Sequence, residues 1–399
     1  MIKISKNKSF FILLFLIFAA GMILRLAPAY LLYGSNDVGK WEQFSTYWQE
    51  GKSPYDVTHF YNYAPLWFWV ISLASYIARL SGIQFSFVVK LPIILIDALS
   101  LLILILACNR LKKPAKETLL AAGAFFLNPI SILISGYHGQ FCNMSTFFLL
   151  LAWYLYTFRK KARFLLSVTA LSLSIAVKHF AVMFVPVFAF FQDRLYKKIA
   201  AFIMAPAVFV VTILPYMLHD AQWVIRGVFK YNLHAGYWGW SGVICRSVLF
   251  LTGIDFIQQP WFRYMDYFNY ILYISIFIIS FYLVKRFDLL DCVVVVFLLF
   301  YVFTTQIAPQ YTVWIIPFAA LRRNKYFYWY SLIGTIQILT FFYCNYHWTL
   351  EKPFIGTVAN LIPETFVIFR YLTWFVCVLW LADYFGMTEF VRRKIFVRR

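Results

Sequence analysis

An all-α, polytopic membrane protein is the fold class this sequence predicts, and three observations carry that expectation. Of the 399 residues, 63% are hydrophobic and only 13% are charged. Apolar runs of about 20 residues, the length a helix needs to cross the hydrocarbon, recur from one end of the chain to the other. The Lys and Arg residues behind the net charge of +20 fall in short clusters between those runs, the pattern that marks cytoplasmic loops and suits an anionic leaflet. In a soluble chain such a charge would suggest nucleic acid. Here the clustering makes the lipid bilayer the expected partner and gives no reason to expect nucleic acid.

Taken in order, the apolar runs lie near 10–32, 87–108, 117–136, 143–158, 164–178, 180–193, 199–218, 267–284, 289–304, 310–321, 326–343 and 364–384, about 12 transmembrane helices. The first is too long for a signal-peptide core and lacks a small-residue cleavage site, so a retained helix is expected. The run 65–82, opening Pro65-Leu66-Trp67-Phe68-Trp69, decides the topology. Were it to cross, the cluster at 110–116 and every later basic loop would change side. Read as an interfacial or re-entrant helix, rich in tryptophan as interface segments are, it leaves the clusters at Lys3/Lys6/Lys8, 110–116, 159–163, 194–198, 285–286, 322–325 and 392–399 on one side. Those clusters hold 24 of the 36 Lys and Arg.

Both termini are then cytoplasmic, and the segments 33–86, 218–266 and 344–363 face outward. All six histidines, His59, His138, His179, His219, His234 and His347, fall on the outward side. No soluble domain or repeat stands out, so residues 1–399 read as a single transmembrane domain with 33–86 as its first extracytoplasmic loop, carrying juxtamembrane helices. The proline-broken stretches around Lys178 to Pro186 and Gln306 to Pro317 must line protein or water, because lipid cannot satisfy freed backbone groups. The six cysteines form no CxxC and read as packing residues, with a Cys245–Cys344 disulfide on the outer face left open. Asn143-Met144-Ser145 abuts a span and reads as a chance sequon.

Five outward constellations could carry chemistry. Asp37 follows directly on the first span, where a carboxylate could take a proton from a hydroxyl; it reads equally well as a cap for the helix beginning near Val38. In Gly136-Tyr137-His138-Gly139-Gln140, two glycines admit a ligand close to the backbone. His138 and Gln140 could donate to a phosphate or a sugar, with a carbonyl partner for His138 as the competing reading. Lys178-His179 stands at a bend between short spans. A lysine in an apolar hairpin is costly unless it meets an anion or snorkels to the interface. Arg226, Lys230 and His234, followed by Trp238-Gly239-Trp240, interleave cations and aromatics as an anionic head group and ring stacking would require; a basic interfacial helix with a tryptophan belt is the alternative. Thr304-Thr305-Gln306 through Gln310-Tyr311 puts polar groups on an apolar wall. No Walker loop, GxGxxG, HExxH or outer DxD occurs, so no cofactor is expected and a divalent metal is possible without being indicated.

In this order the residues resemble the integral-membrane glycosyltransferases of the GT-C superfamily that use polyprenyl-phosphate sugars. The resemblance rests on Asp37, Gly51-Lys52-Ser53-Pro54-Tyr55, Tyr63 with Pro65-Leu66, Asn128-Pro129, Gly136 with Gly139-Gln140, Lys178, Trp238-Gly239 and Pro309-Gln310-Tyr311 with Trp314. It is similar in its first loop to the mannosyltransferases of GPI-anchor assembly, and in its later blocks to prokaryotic polyprenyl-phosphate-mannose enzymes. It departs from the GPI-anchor enzymes in Asn36-Asp37, where they have an acidic pair, and from the prokaryotic ones in Phe141-Cys142-Asn143, where an aspartate is frequent.

The resemblance implies a GT-C fold and an inverting hexosyltransferase, mannose being the first candidate sugar. Asp37 would be the catalytic base, and Lys178, Arg226, Lys230 and His138 would hold the donor phosphate. Tyr63, Gln140, His179, His234, Trp238, Gln310 and Tyr311 would meet the sugar or acceptor. A polyprenyl-phosphate sugar and an extracytoplasmic glycolipid or glycan are the expected partners, and a prokaryotic plasma membrane the expected location. A transporter or flippase of a lipid-linked sugar is the alternative; it would favour internal repeats and charges near the bilayer midplane.

Overall fold

The computed structural model describes residues 8–58, 60–158, 163–230, 235–346 and 362–387. The basic residues Lys3, Lys6, 159–162 and 392–399, together with His59, His234 and His347, lie outside them. Among the described residues every regular element is a helix. Five stretches there are long and apolar enough to cross a membrane: Lys8–Leu31, Phe85–Arg110, Leu195–Phe229, Pro260–Arg286 and Val367–Tyr384. A sixth is the pair Ala115–Phe126 and Pro129–His138, bent by 42°. The protein is thus a helical membrane protein.

In chain order, α1 (Lys8–Leu31) leads through a tight link to α2 (Asn36–Gln49), α3 (Pro54–Val57) and α4 (Pro65–Ser81). Pro65 opens α4 and Gly82, in the left-handed region, closes it, as the termini of helices favour. One face of α4, with Trp67, Phe68, Ile71, Ala74 and Ala78, is buried; the other presents Trp69, Leu73, Tyr76 and Leu80. After α5 (Phe85–Val88) and α6 (Leu91–Arg110), α7 (Ala115–Phe126) stops before Pro129. Asn128 caps α8 (Pro129–Ile132) by accepting from the Ile130 amide, and a π-helical turn, Leu133–His138, completes the run. The expected single span 117–136 is therefore broken, because proline cannot continue α7 and asparagine restarts a helix in a new direction.

The chain continues with α9 (Cys142–Tyr156), α10 (Arg163–Val177), a 3-10 segment His179–Phe184 running into α11 (Val185–Phe190), α12 (Leu195–Met204) and α13 (Ala207–Val224), which ends in a second π turn, Ile225–Phe229. Then come α14 (Gly239–Thr252), α15 (Tyr267–Arg286), α16 (Leu289–Phe303), a 3-10 turn Pro309–Val313, α17 (Ile316–Arg322), α18 (Lys325–Tyr346) and α19 (Ile362–Tyr384).

Several runs that read as spans are short helices. At 15 residues, α9, α10 and α16 rise only about 22 Å. Helix α16 is apolar all round because protein encloses it: Val293 to Leu298 are each 0% exposed, which hydropathy alone does not separate from a lipid-facing helix.

The bundle has two unlike ends. At one, Arg110 donates to the Thr157 carbonyl, Arg322 pairs with Asp288 and Asp291, and Tyr384 donates to Asp291. The opposite ends of α6, α9 and α16 meet the loops carrying Asp37, Gln140, Lys178 and Thr304.

Candidate functional site

A cavity of about 600 Å³ opens at that second end, lined by residues from six separate segments of the chain. The first loop supplies Asp37, Lys40, Asn62 and Tyr63; Gln140 follows the π turn; Lys178 and His179 stand at the break after α10. Arg226 and Lys230 come from the end of α13, Asn269 and Tyr270 from the start of α15, and Thr304, Gln306, Gln310 and Tyr311 from the link after α16. Among the described lining residues, Lys40, Lys178, Arg226 and Lys230 stand against the single carboxylate of Asp37.

Ser35 occupies the N-cap position of α2, so Asp37 lies in the first helical turn, where the helix dipole favours negative charge. The cap reading of Asp37 thus gives way to a different arrangement: its Oδ2 receives the Nε2–H of Gln140. His138 Nε2 stands 3.8 Å from the same oxygen. Ser35 Oγ donates to the His138 carbonyl at 2.9 Å, tying the start of α2 to the end of the π turn. Lys40, one turn beyond Asp37, shares its face of the helix.

The first loop holds its shape through aromatics. Ser53 and Asp56 form a reciprocal capping box at α3, and the buried Tyr55 hydroxyl donates to the Tyr63 carbonyl at 2.6 Å. Burial pushes the phenols of Tyr55 and Tyr61 well above their ordinary pKa, so both remain protonated. Tyr63 packs edge-on against Trp41, Tyr61 and Phe141, presenting Asn62 and Tyr63 to the cavity.

Lys178 has extended backbone between α10 and the following 3-10 turn, so its side chain leaves the helical track. It turns inward instead of snorkelling. Its ammonium donates to Cys142 Sγ at 3.1 Å and lies 4.6 Å over Tyr311, 5.4 Å over Phe141 and 5.8 Å over Trp314. Tyr311 is fixed in turn, its carbonyl accepting from Tyr301 Oη at 2.6 Å.

Asp37, Tyr63, Gln140, Lys178, His179, Arg226, Lys230, Gln310 and Tyr311 all come to this one cavity. Two candidates do not. His138 is buried behind Asp37, 1% exposed and stacked on Phe342, which removes it from the lining as a phosphate ligand. Trp238 is also 1% exposed, and its indole N–H donates to the Tyr301 carbonyl at 2.7 Å.

The reason for Trp238's placement is structural. The last four carbonyls of α16 need partners outside the helix. Phe300 O accepts from Thr304 N, Tyr301 O from Trp238, Val302 O from Trp374 and Phe303 O from Trp240. A Trp-Gly-Trp that reads as a stacking platform is here a helix-end clamp. His234 lies outside the described residues.

Lys40, Asn62 and Asn269 also line the cavity, and nothing in their sequence context singles them out. Three ionisable residues inside apolar runs, Arg25, Lys90 and Asp97, are buried as well, and charge at such positions is the sequence signal that could have marked them. All six cysteines are free, so Cys245 and Cys344 form no bridge. Among the described residues no group of three or more His, Cys, Asp or Glu is placed to hold a metal ion. No family model matches the chain, and no curated protein sequence matches it.

Proposed function

We propose that the protein is an inverting glycosyltransferase of the GT-C type, with about 12 membrane passes, that moves a hexose from a polyprenyl phosphate to an acceptor hydroxyl at the extracytoplasmic face of a plasma membrane. Mannose is the first candidate sugar, and a glycolipid or glycan the acceptor. The observation that carries the reading is Asp37, the one carboxylate among the described lining residues, sharing a cavity with Lys40, Lys178, Arg226 and Lys230. Fixed cations favour a phosphorylated ligand and stabilise the phosphate as it leaves. Asp37 takes the acceptor proton as the hydroxyl oxygen bonds to the anomeric carbon and the bond to the phosphate oxygen breaks, an in-line displacement that inverts configuration.

The end of the bundle opposite the cavity carries Arg110, Arg286 and Arg322, which supports placing that end, with both termini, in the cytoplasm. An apolar groove of about 310 Å³ between α4, α9 and α10, lined by Trp69, Leu73, Phe148 and Leu173, shares Val177 with the cavity and suits a lipid-linked substrate. Beneath the cavity the closely packed α16 supports an enzyme over a transporter, since transport requires access from both faces.

The test is transfer from radiolabelled polyprenyl-phosphate mannose by membranes containing the wild type or Asp37→Asn. A loss of about 10²-fold or more in kcat at equal expression is expected for a missing general base. Near-wild-type turnover would remove Asp37 from that role, and lipid flux without any glycoside product would favour the flippase reading.

A further inference from the structure

Four side chains form one directed chain of hydrogen bonds from the cation side of the cavity to its carboxylate. Lys178 Nζ donates to Cys142 Sγ at 3.1 Å, Cys142 Sγ donates to Gln140 Oε1 at 3.8 Å, and Gln140 Nε2 donates to Asp37 Oδ2. Chemistry sets the sense of each link. An ammonium only donates and a carboxylate only accepts. The thiol, accepting from nitrogen, gives its one proton to the amide oxygen, and the amide must then turn its NH₂ toward Asp37. The shape of a glutamine amide does not select one orientation; here the carboxylate at one end and the thiol at the other select the same one.

Burial makes that selection matter. Gln140 is 1% exposed and Cys142 0%, so water does not stand in for a lost partner. The backbone between them is held as well, because Phe141 stacks on Trp67 with ring centroids 4.1 Å apart. Cys142 begins α9 and Lys178 ends the extended link after α10, two helices packed side by side along their length. The chain of hydrogen bonds crosses the cavity wall between them.

We propose that Cys142 and Gln140 are positioning residues that couple Lys178 to Asp37: the thiol anchors the oxygen end of the Gln140 amide whose NH₂ faces the carboxylate, and the amide so held fixes Asp37 Oδ2 so that Oδ1 meets the incoming hydroxyl. An anion that engages the Lys178 ammonium is thereby felt at Asp37 through three hydrogen bonds. The role in turnover rests on the transferase reading; the arrangement itself does not.

The experiment compares the full-length wild type, Cys142→Ala and Cys142→Ser in detergent. Its first measurement is the rate at which a hydrophobic carbodiimide modifies Asp37, followed by peptide mass spectrometry. Cys142→Ala is expected to raise that rate roughly fivefold to tenfold, the range set by losing one buried hydrogen bond. Cys142→Ser, whose hydroxyl both accepts and donates, returns it close to wild type. Its second measurement is mannose transfer, where Cys142→Ala lowers kcat by about tenfold with the donor KM little changed, and Cys142→Ser recovers most of the loss. A thiol that merely filled space would leave the polar serine no better than alanine. Equal modification rates in all three proteins would overturn the proposal. If the wild type transfers nothing while alanine and serine still separate in the first measurement, the coupling stands and the transferase reading falls.

Discussion

Arg25 Nε meets Asp97 Oδ2 at 2.8 Å inside the bundle, with the two side chains 0% and 1% exposed. The guanidinium also donates to Ser131, Ser135 and the carbonyls of Gly21 and Phe126, and Asp97 receives Asn143 at 2.7 Å. This network joins α1, the broken run 115–138, α6 and α9, the segments whose ends carry Asp37 and Gln140. Breaking one half leaves the other charge buried and uncompensated, at a cost of about 3–5 kcal/mol. Asp97→Ala is therefore expected to lower the thermal midpoint in detergent sharply. The double variant Arg25→Met/Asp97→Leu, which buries no lone charge, is expected to lose less. A double variant as unstable as Asp97→Ala would refute this account.

The clamp at the end of α16 separates a structural from a ligand-binding role for Trp238. Trp238→Phe keeps an aromatic ring but loses the indole N–H bonded to the Tyr301 carbonyl, which leaves a buried acceptor at a cost of about 1–3 kcal/mol. Gly239, with φ of +54°, has no room for a side chain: a Cβ there would stand 2.8 Å from Trp374 Nε1. Gly239→Ala is expected to disturb the Val302 contact as well. Both losses should appear in the thermal midpoint with ligand absent. A Trp238→Phe protein of wild-type stability but weakened donor binding would restore the stacking role.

The helical membrane class was legible because each long apolar run carries its own evidence, and Asp37, Gln140, Lys178 and Arg226 stood out as polar residues at the margins of those runs. The bend at Asn128-Pro129 was not expected, since the apolar run 117–136 is unbroken in hydropathy, although a capping asparagine beside a proline is its local cause. What stayed hidden depends on neighbours far along the chain. The sequence of α16 does not say whether lipid or protein surrounds Val293 to Leu298, and nothing local to Trp238 announces that its hydrogen-bond partner is Tyr301. Lys40 escaped notice for a different reason: a single lysine on a short polar helix carries no signal until the cavity forms around it beside Asp37.

Lys90 holds the two loops of the site against each other. Its buried ammonium donates to the Leu32 carbonyl at 2.8 Å and reaches the Ala29 carbonyl at 3.4 Å, a favourable place for a cation at the C-terminus of α1. Its stem runs beside Gly34 and Gly139; a Cβ on either would stand 3.1 or 3.2 Å from it. These glycines precede Asp37 by three residues and Gln140 by one. Lys90→Met retains the stem and removes the donors, so a loss of roughly 1–3 kcal/mol is expected from unpaired buried carbonyls. Thermal unfolding measures it. An unchanged midpoint would mean that packing alone joins the loops.

Lys178 and Arg226 should respond differently to the same truncation, because Lys178 is half-buried among aromatic rings and Arg226 is exposed. Its ammonium sits among Phe141, Tyr311 and Trp314 with Cys142 as a hydrogen-bond partner, whereas Arg226 lines the cavity from an exposed position. A half-buried cation is screened less by salt than an exposed one. Arg226→Ala is expected to raise the donor KM severalfold at low ionic strength, with the gap from wild type closing as salt approaches 1 M, where the screening length is about 3 Å. Lys178→Ala is expected to lower kcat as well as raise KM, by a factor that salt leaves largely unchanged. Lys178→Arg is no substitute, since a planar guanidinium cannot place one N–H on Cys142 and keep the same position over the Tyr311 ring. Steady-state kinetics with labelled donor across an ionic-strength series decides the matter: identical salt dependence for the two alanine variants would mean that Lys178 is as open to solvent as Arg226.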